Sequence, residues 1–188
     1  MNRPLGGILI GLVGAAVYGL AVELWPSSVA VILSLCAMAL AGGPLSGVVF
    51  TDVASLWTGI FCLWVRYSTL MALTAANLAF PLPANLTLGV IMICGQAASH
   101  ALAMTLRATA RRASGGELSL ALVLGLAPAA LLGIPGLAGL VAAILTRLGF
   151  GAYLNRSPPP ESRNAAASVQ QLAEAAFYLG ALATWKYV

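Results

Sequence analysis

Few residues in this chain can do acid–base or metal chemistry. Among 188 residues there are five carboxylates, nine Lys or Arg and one His. Asp52 closes the stretch "ALAGGPLSGVVFTD", where glycines and a proline precede a single carboxylate between long apolar runs. Glu174 lies in "VQQLAEAAF", with Gln170 one helical turn before it on the same face and Gln171 beside it. Arg66 lies within "FCLWVRYSTL", Arg147 within "AILTRLGF", and His100 within "GQAASHALAM". A charge placed inside apolar sequence needs a partner. These positions predict a buried polar cluster of Arg66, His100, Arg147, Gln171 and Glu174, in which Glu174 pairs with Arg66 or Arg147. His100 is expected as a neutral imidazole bonded between helices. Without a second His, no His-based metal site is on offer.

The absent motifs narrow the chemistry further. There is no Ser-His-Asp set with evident spacing, no Walker loop, no Rossmann fingerprint and no paired-carboxylate motif. Phosphoryl or nucleotidyl transfer on a magnesium-bound substrate needs carboxylates to hold the ion. Cys36, Cys62 and Cys94 each sit in an apolar run at spacings that match no zinc or redox motif. They are expected as small buried hydrophobes with free thiols.

The elements that must position these residues follow from composition. The chain is 61% hydrophobic and 7% charged, with mean hydropathy +0.96. A soluble domain carries roughly 25% charged residues. Lipid is therefore the expected solvent, and long apolar runs without alternation predict helices. Proline, glycine and polar breaks divide the chain into seven segments, about 5–24, 28–50, 56–80, 84–106, 117–133, 135–154 and 167–187. Each is near the roughly 17–25 residues of a span. The first has the order of a leader peptide, an Arg then an apolar run, but is long enough to cross and is expected as the first span. Gly42-Gly43-Pro44 is expected to interrupt the second segment. The predicted fold is an all-α, polytopic bundle of about seven spans in one integral membrane domain, 1–188.

Charge gives the orientation. With the N-terminus cytoplasmic, Arg3, Arg107, Arg111, Arg112, Arg156 and Arg163 all face the cytoplasm and only Lys186 faces the other side. The Arg107–Arg112 cluster is suited to anionic lipid headgroups. The net charge of +4 does not mark a nucleic-acid binder, because the basic residues are few and dispersed. Small residues recur at packing spacing: Gly7 and Gly11, Ala15 and Gly19, Ala176 and Gly180.

Four pieces of sequence, in order, resemble one family. "RPLGGILIGLVGAAVYGLAVELWPSSVAVILSLCAMALAGG" is similar to its opening. "SHALAMTLRATARRASGGEL" is similar to its Ser-Arg helix and Gly-rich loop. "VQQLAEAAFYLGALA" is similar to its closing helix, and Arg66 falls where it has an intramembrane lysine. The family is cobalamin synthase, the adenosylcobinamide-GDP ribazoletransferase of corrinoid biosynthesis. The resemblance implies a multi-pass protein of the bacterial inner membrane. It also implies a magnesium-dependent reaction that joins α-ribazole to adenosylcobinamide-GDP and releases GMP. The acidic motifs depart from the family. Pro44 stands in place of its His, Ser46 and Phe50 in place of its two Asp, and Asn164 in place of a later Asp. His100 replaces an Arg, Asp52 is displaced, and the family's long charged cytoplasmic loop is missing. The chain thus resembles a shortened member without the acidic motifs, and "AGGPLSGVVFTD" resembles the remains of a metal-binding loop.

Two functions are weighed on these residues. The first is a non-catalytic, cobalamin-synthase-like membrane protein, an accessory or structural subunit beside other integral membrane subunits. Photosynthetic and respiratory complexes are the assemblies considered, with lipid, pigment or quinone contact and no cofactor of its own. The second is a divergent ribazoletransferase, or an enzyme of another phosphotransfer type, in which Asp52 and Glu174 replace the missing magnesium ligands and Arg66 and Arg111 or Arg112 meet phosphates. A small transporter is disfavoured by the lack of an internal repeat.

Overall fold

The computed structural model describes residues 5–46, 53–76, 83–111, 115–156 and 162–185. Asp52, Arg3, Arg112 and Lys186 lie outside them. The described residues form seven α-helices and one 3-10 helix, with no strand among them. They are α1 Gly6–Ala21, α2 Ser27–Ser46, α3 Val53–Ala75, α4 Ala84–Arg111, α5 Gly115–Leu126, α6 Ile134–Arg156 and α7 Ser162–Trp185. The 3-10 turn, Ala127–Leu132, continues α5.

Local chemistry explains the boundaries. The Pro26 carbonyl accepts from the amides of Val29 and Ala30 and so starts α2. Pro83 does the same for α4 through the amide of Thr87. Pro128, without an N–H, tightens the end of α5 into the 3-10 turn. That turn stops at Gly133, whose φ of 61° suits glycine alone. Contrary to expectation, α2 is not broken at Gly42-Gly43-Pro44 but continues to Ser46. Pro44 falls in its last turn, and the helix ends two residues later.

The bundle is centred on α4, which packs against α1, α5, α6 and α7. Close backbone approach sets these contacts. A Cβ on Gly7 would lie 2.8 Å from the Gln96 carbonyl oxygen, and one on Gly11 2.7 Å from Ile93 Cα. Ala15 continues the same stripe against Gly89. On the other side, α7 and α6 form the most extensive helix pair. A Cβ on Gly180 would lie 2.6 Å from the Ala138 carbonyl oxygen, and one on Gly139 2.8 Å from that of Phe177. Small residues thus replace the interlocking of large side chains as the means of packing. The second helix is held less closely, mainly by α1, where Met38 rests on Gly14.

Two helices are long and apolar enough to cross a membrane, and their surroundings differ. The Ala84–Leu106 stretch of α4 is 83% buried, whereas the Ile134–Tyr153 stretch of α6 is 22% buried, at mean hydropathies of 1.5 and 1.6. Cys62 and Cys94 are buried, but Cys36, expected to be buried, is exposed on α2.

These contacts predict that Gly11→Val, which crowds Ile93, lowers stability by about 1–3 kcal/mol. Gly19 has open space around it, so Gly19→Ala should be neutral or stabilising by up to about 1 kcal/mol. Thermal unfolding of both variants in one detergent checks the pair. Equal losses would mean that helix propensity and not backbone approach governs these sites.

Candidate functional site: a buried polar network on three helices

Three helices bring their polar residues to one point. Glu174 lies halfway along α7, Arg66 in the middle of α3 and Gln96 in the middle of α4. The Glu174 side chain is 1% exposed and forms an ion pair with Nη1 of Arg66 through Oε2. The same oxygen accepts from Gln96 Nε2 at 3.1 Å. The other oxygen, Oε1, accepts from the Tyr178 hydroxyl at 3.0 Å. A longer contact of 3.5 Å runs from Gln170 Nε2 to Gln96 Oε1.

Each part of this arrangement has a local cause. Glu174 and Tyr178 are four residues apart, so they are stacked on one helical face. The Tyr178 ring lies flush against α4 because residue 95 is glycine, and a Cβ there would collide with the ring. A carboxylate so far from water must keep a counter-charge and fill its lone pairs. The guanidinium, the amide and the phenol do both.

Between this network and α2 lies a cavity of about 30 Å³. Leu35, Met38 and Ala39 of α2 form its apolar wall. Arg66, Gln96, Gln170, Gln171 and Glu174 form its polar wall. Arg66 Nε and Gln170 Oε1 are buried without a protein hydrogen-bond partner.

The structure brings Arg66, Gln170, Gln171 and Glu174 together and sets Arg147 and His100 apart. Arg147 does not reach Glu174, since its Nε donates to Thr105 Oγ1 at 3.0 Å on α4. His100 is 4% exposed and lies between helices, its ring against Gly6 and its Cβ against Gly7 of α1. Sequence reading missed Gln96 and Tyr178. The signal for Tyr178 was its spacing of four from Glu174, and for Gln96 its spacing of four from His100. Asp52 lies outside the described residues, as do the residues around it from 47 onward.

The described residues do not fit a magnesium ion. Hard cations require several oxygen ligands. Glu174 is the buried carboxylate here, and both its oxygens are engaged by donors. No group of three His, Cys, Asp or Glu side chains converges among the described residues. What the arrangement can do is tie α3, α4 and α7 into one register, with its charges cancelled internally.

No family model, curated protein or solved structure matches the chain.

Removing either partner of a buried ion pair strands the other charge, so Arg66→Met and Glu174→Leu should each cost about 3–5 kcal/mol. The double variant should lose less than the sum of the two, because it strands nothing. Thermal melting of the three variants measures the coupling, and strictly additive losses would mean that the two side chains act independently.

Proposed function

We propose that this chain is a multi-pass membrane protein of seven spans that serves as a non-catalytic scaffold subunit beside other integral membrane proteins. One observation carries the membrane reading. The outward faces of the bundle are as apolar as its interior. Leu9 and Leu20 on α1, Leu40 on α2, Trp64 on α3, Val123 on α5 and Leu145 on α6 are all at least 59% exposed. Water would not support such a surface over so many helices. Hydrocarbon does, and it accounts for α6 being highly apolar yet 22% buried.

Backbone and hydroxyl chemistry agree with that solvent. Ser34, Thr69, Ser99, Thr146 and Thr184 donate their hydroxyls to carbonyls of their own helices, three or four residues back. No hydroxyl of this set asks for water. The shortest helix, α5, reaches about 30 Å only with its 3-10 extension, which is the thickness of the hydrocarbon layer.

The scaffold reading rests on how Glu174 is used. A divergent ribazoletransferase would need Glu174 as a metal ligand, yet Arg66, Gln96 and Tyr178 hold both its oxygens. The polar network then serves assembly, and the apolar exterior is left to meet lipid, pigment or neighbouring subunits. The cobalamin-synthase resemblance supplies the proposed origin of the helical scaffold, and with it a bacterial inner membrane and a cytoplasmic N-terminus.

The experiment has two arms. The protein should resist alkaline carbonate extraction, and single cysteines placed after residue 112 and after residue 157 should react only from the cytoplasmic side. Release by carbonate would remove the membrane reading. Tagged protein recovered from its own membranes in mild detergent should bring a stoichiometric membrane subunit with it. Recovery alone, together with ribazoletransferase turnover lost in Asp52→Asn, would replace the scaffold reading by the catalytic one.

A further inference from the structure

The charge at Arg147 has a use that the Glu174 network leaves unexplained. Arg147 lies on α6, nine residues before its end at Arg156. Among the described residues the ion pair is that of Arg66 with Glu174, and the bond of Arg147 Nε to Thr105 is its own contact to α4. That bond fixes the plane of the guanidinium. Its two Nη nitrogens form the kind of fork that matches two oxygens of a phosphate.

The direction of the side chain is informative. Helical side chains lean toward the helix N-terminus. Arg147 instead runs toward the C-terminal end of α6, where Nη1 lies 2.9 Å from the place a Cβ on Gly151 would occupy. Glycine at 151 leaves that path open, and Gly149 has open space around it. Gly151 lies roughly 7–8 Å from the end of α6, and Thr105 about 9 Å from the end of α4 at Arg111, at 1.5 Å per residue. Headgroups occupy about 5–8 Å on each side of the hydrocarbon. The guanidinium is thus extended toward the headgroup boundary, as expected of a snorkelling arginine. Tyr153, 63% exposed and one turn further along α6 than Gly149, is suited to the same boundary. The last turns of α4 add Arg107 and Arg111 to this end of the bundle.

We propose that the C-terminal ends of α4 and α6, joined by the Arg147–Thr105 bond, bind the phosphate of an anionic phospholipid, with Arg147 as the bidentate ligand and Thr105 as the residue that orients it. The proposal rests on the membrane reading above. It is tested by native mass spectrometry of the detergent-purified protein with dioleoylphosphatidylglycerol, dioleoylphosphatidylcholine and inorganic phosphate. Phosphatidylglycerol should bind about tenfold more tightly than phosphatidylcholine, the scale of a charge-assisted pair of bonds. Arg147→Gln should remove that preference. Gly151→Ala, which keeps the charge but crowds Nη1, should weaken it several-fold, while Gly149→Ala should leave it intact. If Arg147→Gln does not fold, Gly151→Ala decides. Both lipids bound equally, or both Arg147→Gln and Gly151→Ala binding as the parent does, would overturn the site while sparing the membrane reading. Displacement of phosphatidylglycerol by millimolar phosphate would make it a soluble-anion site and overturn the lipid assignment. Failure to take up either lipid would count against the membrane reading itself.

Discussion

The rest of the bundle depends on giving one buried carboxylate all of its partners. Glu174 is almost completely buried, in surroundings where an isolated charge is costly. Its neutralisation needs Arg66 from α3, and its remaining lone pairs need Gln96 from α4 and Tyr178 from its own helix. These demands can be met together only when the three helices hold one depth and one rotation. A sliding of α3 by one residue would carry the guanidinium about 1.5 Å along the axis and 100° around it. Apolar packing alone tolerates such shifts better, because it is non-directional. The polar network therefore supplies register, and the small residues supply closeness.

The two devices meet on α4. Its one face carries Gly89, Ile93 and Gln96, on which the Gly7, Gly11 and Ala15 stripe of α1 is seated. Another carries Gly95, which receives the Tyr178 ring of α7. A further face at Ala97 and Ala101 receives Gly125 of α5. Helix α4 is thus the best-buried span because small residues on several sides let neighbours approach its backbone. The second helix lacks comparable contacts with α3 and α7. The cavity beside Glu174 opens at this weakly packed side, where Leu35, Met38 and Ala39 face the glutamine amides.

The helices were legible in the sequence because proline, glycine and polar breaks delimit apolar runs of nearly constant length. Their ends shifted by a few residues, and α4 at its C-terminal end and α7 at its N-terminal end extend further than the apolar runs do. Polar flanks such as "RATAR" and "SRNAA" are good helix formers that carry no hydropathy signal. The expectation at Gly42-Gly43-Pro44 treated glycine and proline as a break where they stand, and the helix ends two residues beyond Pro44 instead. For the site, charge in apolar sequence singled out Arg66, Arg147, Glu174 and their glutamine neighbours. It could not choose between the two arginines, since that depends on helix order and rotation. Gln96 and Tyr178 gave no such signal. An uncharged glutamine or a tyrosine in an apolar run is ordinary until a tertiary contact assigns it a carboxylate.

Arg66 and Arg147 end in opposite situations, and the difference follows from their neighbours. Arg66 sits mid-helix, and its charge is met by an internal acid. Arg147 lies nearer a helix end, beside glycines that leave a path toward the boundary. A second internal carboxylate would be needed only if that path were closed. Among the described residues Glu174 is the acid buried inside the bundle, at the position where Arg66 needs a counter-charge. On the proposed membrane reading, internal pairing fixes the fold, and Arg147 is left to tie that fold to the charge of a surrounding bilayer.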